Sequence, residues 1–464
     1  MMRQNTIGKV IKLNGVGLHT GVLVNVEIHP SDEKGIKFFR NDLKGCPEIL
    51  PDTLHVTDTF NCTKIGNSKA EVGVIEHLLS AFFGLGIDQA KIYVDGPELP
   101  ILDGSAKPFV EAILEAGIVE TELEVETFVI EKPIFYKDES GSEYMALPDD
   151  GFDITVMIDY SNKLIGKQYA QYRMDTDYKS EIAPARTFAL TDEILALREH
   201  GLINGGSLEN AVIFKGELSE EKISALAASL GQPDISEVSP GIYSSEPLRF
   251  ANEPARHKVL DLIGDMSLIG KRIQGKVIAT RPSHRGNLAF TKILRKKFVE
   301  QRKLKGRPKY DVSTPPIMDV VKIQELIPHR YPFLLVDKIT ELSDTVVVGI
   351  KNISIDMPVF QGHFPGHPVF PGVLQIEAMA QTGGILVMSG YDKPEEYDTY
   401  FVKIDNAKFK HVVVPGDTLI IKMELMGPMK RGLVSMRGTT YVGDKLVSEG
   451  EFIARIMHQD QSRG

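Results

Sequence analysis

Through residues 8–39 apolar and polar positions alternate, as in Leu23-Val24-Asn25-Val26-Glu27-Ile28, and Gly15, Gly17 and Gly21 punctuate the run. A period of two predicts strands with one buried face, joined by tight turns. At residues 75–84 the apolar spacing becomes helical, and Glu76-His77 fall in the first turn of that predicted helix. A strand at 90–94 and the turn Asp95-Gly96-Pro97 lead to a second helix at 106–116, stopped by Gly117. After Phe128 a similar order recurs, with strands at 128–130 and 152–158 and helices at 192–198 and 257–268. No residue-level repeat accompanies it. Beyond residue 315 the pattern changes to a helix at 319–326, strand-like runs at 333–339 and 346–350, a Pro/Gly-rich loop, one long apolar helix within 369–388, and strands to residue 457. One helix wrapped by an antiparallel sheet is the natural packing for that order.

With 464 residues the chain exceeds one ordinary core. The expected class is α+β: two related α+β subdomains at residues 1–126 and 127–300, a basic linker at 301–314, and a further domain at 315–464. An apolar content of 42%, a charged content of 25% and 41 glycines exclude disordered and collagen-like chains. The net charge of −10 argues against a nucleic-acid partner, and an anionic substrate then has to be met by local basic groups. Only Cys46 and Cys62 occur, without C-x-x-C spacing, which fits a reducing compartment. The first 18 residues carry no continuous apolar segment, and no uncharged run is long enough for a bilayer, so a cytoplasmic protein without a transmembrane segment is expected. Between Thr291 and Lys309 nine Lys or Arg stand against one acidic residue. This is either a helix end running into a solvated linker or a docking strip for an acidic partner.

His257-Lys258-Val259-Leu260-Asp261 puts a histidine and a carboxylate four residues apart on one helical face. Such pairs are common on surfaces and by themselves say little. Glu76-His77 adds a third possible ligand beside a possible general base. Two nitrogens and a carboxylate oxygen leave a fourth tetrahedral position open, as catalytic zinc requires. The oxyanion and the leaving amine need a second group, for which His284 is a candidate, held charged by Asp265 one turn beyond Asp261.

Six ordered motifs then carry a resemblance: Gly15 to Gly21, Glu76-His77-Leu78-Leu79-Ser80-Ala81, Asp103-Gly104-Ser105-Ala106, Ala185-Arg186-Thr187-Phe188, Glu209-Asn210-Ala211, and Arg256-His257-Lys258-x-x-Asp261-x-x-Gly264-Asp265. Across about the first 300 residues the chain resembles the UDP-3-O-acyl-N-acetylglucosamine deacetylase family. The resemblance implies one zinc ion per chain on His77, His257 and Asp261, Glu76 as general base, and His284 as a cationic acid partnered by Asp265. It further implies a Thr187 hydrogen bond to the oxyanion, Lys258 near the anionic diphosphate of a UDP-sugar acyl substrate, and a site between two α+β subdomains. Residues 217–250 are longer than the family's usual connection and are expected to be an inserted surface loop. His19, between glycines, is expected to be structural.

A second constellation lies downstream. His363 sits in a loop stiffened by Pro365, Pro368 and Pro371, and Glu377 follows Gly372 in the apolar segment. A carboxylate there is costly unless paired or functional. Elimination of water from a 3-hydroxyacyl thioester needs a base, an acid and donors for an enolate-like oxygen; His363, Glu377 and the N–H of Gly372 suit these tasks. The runs 328–337, 362–366, 371–374, 377–381 and 414–417 resemble the 3-hydroxyacyl-[acyl-carrier-protein] dehydratase family over residues 315–460. That resemblance implies a hot-dog fold, acyl carrier protein thioesters as substrates, and a homo-oligomer through this domain. A dimer at least is expected, with His363 from one chain and Glu377 from the other, and trimers of dimers beyond it. His329 is expected to pack or turn rather than react. The combined reading is a fused bifunctional enzyme; the alternative leaves one half as a binding or oligomerisation module.

Overall fold

The computed structural model describes residues 2–217, 219, 222–224, 227, 237–303, 306–308 and 310–462. The expected insertion at 217–250 and the basic linker at 301–314 therefore lie partly outside the described residues. Contacts divide the chain into two compact units, Met1–Glu300 and Gln301–Gly464.

In the first unit the alternating segment forms a five-stranded sheet, ordered Ile11–Val16, Leu23–His29, Ala90–Val94, Ile36–Arg40 and Glu48–Ile49. Val24, Val26 and Ile28 are wholly buried while Leu23 faces outward, which is the period-two pattern realised. Helix Glu76–Leu85 ends where Gly86 turns left-handed and its N–H bonds back to Phe82 and Phe83. A second sheet is ordered Ile134–Lys137, Glu143–Leu147, Arg272–Thr280, Phe152–Asp159 and Lys167–Arg173, with Thr127–Val129 parallel to Arg272–Thr280. Buried residues from Ile7 to Phe298 form one contiguous core across both halves.

Helix Glu253–Met266 begins four residues before the expected start, because Pro254 suits a first turn and Glu253 favours the N-terminal dipole. It crosses helix Glu76–Leu85 at Gly264, where an added Cβ would lie 2.2 Å from the Glu76 carbonyl oxygen. Only glycine lets the two helix backbones approach so closely. Helix His284–Lys303 absorbs much of the basic run, placing its cations at the C-terminal end that the macrodipole favours. A four-stranded sheet of Phe188–Leu190, Val212–Phe214, Ile242–Tyr243 and Glu237–Ser239 was not legible in the sequence, since its strands are only two or three residues long.

The second unit packs one long helix against one sheet, with a shorter helix, Val320–Leu326, matching the helix expected at residues 319–326. Strands Lys338–Leu342, Val346–Asn352, Thr418–Leu425, Leu433–Val442, Lys445–His458 and Tyr397–Phe409 follow one another, each antiparallel to its neighbour. Helix Gly372–Met388 buries Ala378, Met379 and Ile385 against it. Residues 333–337 are not strand, contrary to expectation. Their backbone groups bond a helix side chain instead: the Leu335 N–H donates to Gln381 Oε1 and the Gln381 amide donates to the Phe333 carbonyl. Among the described residues, no helix is long and apolar enough to cross a membrane.

Candidate active sites

The crossing at Gly264 brings the first turn of helix Glu76–Leu85 against the middle of helix Glu253–Met266. One ligand atom from each of His77, His257 and Asp261 lies within 4.8 Å of the others, and all three residues are buried. The His257 Nδ1–H donates to the Ala185 carbonyl at 3.0 Å, so Nε2 presents a lone pair. That nitrogen is 3.3 Å from Asp261 Oδ1, an acceptor that makes no hydrogen bond among the described residues. Buried His77 Nδ1 is equally without a partner. Acceptors converging in a buried space repel one another unless a cation sits among them, so this donor set fits a metal ion.

The charges agree with that reading. Burial, reinforced by His257, pushes His77 down to about 3, so its imidazole is neutral and able to ligate. Burial likewise lowers His257. Burial would raise Asp261, but the His257 ring, the Lys258 ammonium and His284 together hold it well below the carboxylate range. Lys258 Nζ donates to Asp261 Oδ2 at 2.9 Å and lies 5.6 Å above the Phe188 ring.

Glu76 is enclosed beside this cluster, and burial raises its carboxyl to about 8. His284, the first residue of its helix, donates from Nδ1 to Asp265 Oδ2 at 2.9 Å, and its Nε2 is 3.9 Å from Asp261 Oδ2. Burial works against charge on His284, but Asp265 and Asp261 outweigh it and raise the imidazole to about 9. Thr187 lies between Ala185, whose carbonyl bonds His257, and Phe188, whose ring is 6.3 Å from the His257 ring. Seven of the eight residues expected from the sequence for this half thus fall on one neighbourhood of the first unit, and Thr187 adjoins it through its chain neighbours.

Sequence reasoning missed two features. Arg186 and Glu253 form an almost fully buried ion pair: the Arg186 Nε and backbone N–H both donate to Glu253 Oε1, at 2.8 and 3.0 Å. This fastens the 185–187 segment to the first turn of the His257 helix. Arg186 stands inside one of the six motifs, but nothing local marks an arginine as buried. Thr63 is the other; its N–H donates to Glu76 Oε2 at 3.1 Å and its hydroxyl to Asp265 Oδ1. His19 is buried with both ring nitrogens unpartnered among the described residues, while its N–H donates to Glu98.

The second constellation is assembled differently. His363 is half-buried, with Nδ1 donating to the Val369 carbonyl at 2.7 Å and its ring stacked on Phe364 at 4.0 Å. Glu377 accepts from the Gln381 amide at 2.9 Å, and His329 Nε2 lies 3.5 Å from it. His329 therefore contacts the expected acid directly, and burial lowers its imidazole despite that neighbour. Gly372 opens its helix, where its N–H has no intrahelical acceptor, and an added Cβ there would meet the Phe409 ring at 2.8 Å. Glu377 and His329 line a cavity of about 310 Å³ whose wall is otherwise largely apolar, including Met388, Phe401, Met436 and Phe452. His363 does not line it. Within one chain the expected acid and base are not in contact.

Both units are similar to known proteins. A family model described as UDP-3-O-acyl N-acetylglycosamine deacetylase matches residues 4–225 and 235–296, and a FabA-like domain matches residues 327–451. A curated protein of Bacteroides thetaiotaomicron named bifunctional enzyme LpxC/FabZ is 45% identical over 98% of this chain and 99% of its own length. One of Porphyromonas gingivalis with the same name is 43% identical over 99% of this chain and 100% of its own. A UDP-3-O-acyl-N-acetylglucosamine deacetylase of a Nostoc species is 38% identical, covering 61% of this chain and 95% of that protein.

Proposed function

Because the chain belongs to the bifunctional LpxC/FabZ family, we propose that its first unit hydrolyses the N-acetyl group of a UDP-3-O-(3-hydroxyacyl)-N-acetylglucosamine and its second dehydrates 3-hydroxyacyl-[acyl-carrier-protein] thioesters. The two reactions serve lipid A and fatty acid biosynthesis respectively. The observation that carries the first reading is the convergence of His77, His257 and Asp261 within 4.8 Å beside an enclosed Glu76.

The metal is assigned as zinc on His77, His257 and Asp261, one per chain, consistent with the two-nitrogen, one-carboxylate set. When bound, zinc supplies Lewis acidity toward water and the amide carbonyl. In its carboxylate form Glu76 takes a proton from the attacking water as the water oxygen bonds to the acetyl carbon. His284, kept charged by Asp265, donates to the developing oxyanion beside the Thr187 hydroxyl, and then protonates the amine as the C–N bond breaks. Acetate and the free glucosamine amine leave. Lys258 meets the anionic side of the UDP-sugar substrate.

In the dehydratase, His363 removes the α-proton, the Gly372 N–H supports the enolate-like oxygen, and Glu377 protonates the departing hydroxyl. We assign the complete site to two chains. Supporting this, strand Tyr397–Phe409 pairs on one side only and exposes Tyr400, Phe401, Val402, Ile404 and Phe409, a long apolar edge that requires covering. The unit boundaries are assigned as residues 1–126 and 127–300 for the deacetylase subdomains, 301–314 for the linker and 315–464 for the hot-dog domain.

Both activities measured on the same sample test the assignment. Glu76→Gln lowers deacetylation by about 10²–10⁴-fold and leaves dehydration unchanged, and His363→Ala does the reverse. Co-assembling His363→Ala chains with Glu377→Gln chains restores about a quarter of the parental dehydration, because half the dimers regain one intact site. No recovery on mixing sinks the shared site.

A further inference from the structure

Both oxygens of the Asp265 carboxylate accept hydrogen bonds, from three donors in all. Oδ2 receives His284 Nδ1 at 2.9 Å and the Asn287 amide at 2.8 Å, while Oδ1 receives the Thr63 hydroxyl. Asn287 is held in that orientation by Tyr144, whose hydroxyl donates to Asn287 Oδ1 at 2.8 Å. Thr63 also ties this cluster to Glu76. Its backbone N–H donates to Glu76 Oε2 at 3.1 Å, on the other helix, and its side chain lies 3.5 Å from His284 Nδ1. Thr63 is 1% exposed, and it belongs to neither helix, entering just before strand Lys64–Gly66.

A carboxylate has two rotationally equivalent oxygens, and one donor leaves it free to swing. Asp265 is 202 residues from Thr63 in sequence, so the hydroxyl bond is a tertiary fastening, not a local turn contact. Without that bond, Oδ1 of a buried carboxylate loses its partner, and the cheapest response is rotation toward a remaining donor, which moves the His284 imidazole with it. Glu76 is fastened to the same residue. One short segment therefore sets the distance between the group that accepts a proton and the group that later donates one, and small misplacements of such groups cost rate more than binding.

We propose that Thr63 is a positioning residue for deacetylation, holding Glu76 through its N–H and the Asp265–His284 pair through its hydroxyl in one frame. This rests on the proposed roles of Glu76 and His284. The test compares Thr63→Val, Thr63→Ser and Glu76→Gln in the full chain, with steady-state kinetics, zinc affinity by chelator competition and dehydration as a control on the same sample. Thr63→Val keeps the N–H and shape but loses the hydroxyl; it lowers kcat by about 10–100-fold with KM and zinc affinity within about two-fold. Thr63→Ser restores kcat to within about three-fold of the parent. Should the valine variant not fold, Thr63→Ala removes the same hydroxyl without added bulk and is held to the same numbers. A parental kcat in the valine or alanine variant, an equal loss in the serine variant, or a matching loss of zinc affinity each overturns the proposal. If Glu76→Gln also retains parental kcat, it is the underlying assignment of the base that has failed.

Discussion

The two sites differ in how much of each the chain itself encloses. In the deacetylase unit the proposed ligands and base are buried and the proposed acid His284 nearly so, held among residues 63–77, 185–187, 257–265 and 284 by ion pairs and short hydrogen bonds. In the dehydratase unit His363 and Glu377 are each well oriented, by the Val369 carbonyl and by Gln381, yet they do not meet. The first arrangement isolates charge from water and gains by making it dense. The second leaves an apolar strand edge exposed, and in the proposed assignment its missing half comes from a partner chain. On the proposed reading, one polypeptide carries a site that is finished by folding and another that is finished by assembly.

Removing the metal separates the two most sharply. Chelation is expected to abolish deacetylation and zinc to restore it, with dehydration constant throughout; a parallel fall in dehydration breaks the comparison. Next in size is the buried Arg186–Glu253 pair. Glu253→Gln removes the buried partner of Arg186 and leaves it the exposed Glu246 at 3.6 Å; it is expected to destabilise the first unit by about 3–5 kcal/mol, read from denaturant unfolding, while the second unit's transition stays in place.

Disrupting the exposed edge has the opposite selectivity. Val402→Asp is expected to reduce association in sedimentation and to lower dehydration about tenfold or more, with deacetylation per chain within about two-fold. Dehydration that persists in a monomeric variant removes the distinction between a folded and an assembled site.

The smallest effect is a slope with pH. His284 is raised from 6.5 to about 9, so its charged form favours the folded state; that stability is complete below pH 6.5 and lost as pH rises through 9. The first unit is expected to lose thermal stability across that interval, and deacetylation to fall on the same alkaline limb as the acid loses its proton. His284→Gln is expected to flatten the stability slope. A slope unchanged by that substitution removes His284 as its source.

Much of this is legible in the order of residues alone. Period-two alternation locates the strands around Val24, Val26 and Ile28, helical spacing locates Glu76-His77 in a first turn, and the i, i+4 pair His257 and Asp261 lies on one helical face. These are local properties, fixed by the geometry of a few consecutive residues. The first unit's four-stranded sheet is not legible because strands of two or three residues carry no period. The run at 333–337 reads as strand but is not one, because Phe333 and Leu335 bond the side chain of Gln381, far along the chain.

By itself the sequence determined which side chains were available, two histidines and a carboxylate for a metal, a histidine and a glutamate for elimination, and on which helix or loop each would stand. Only the tertiary structure decided what holds them: Gly264 allowing the two helices to touch, Glu253 clasping Arg186, Thr63 fastened to both Glu76 and Asp265, His329 beside Glu377. The reason is physical. Residue type and periodicity specify conformation over one or two turns, whereas the orientation of a buried polar group is set by whichever distant donor or acceptor relieves its desolvation.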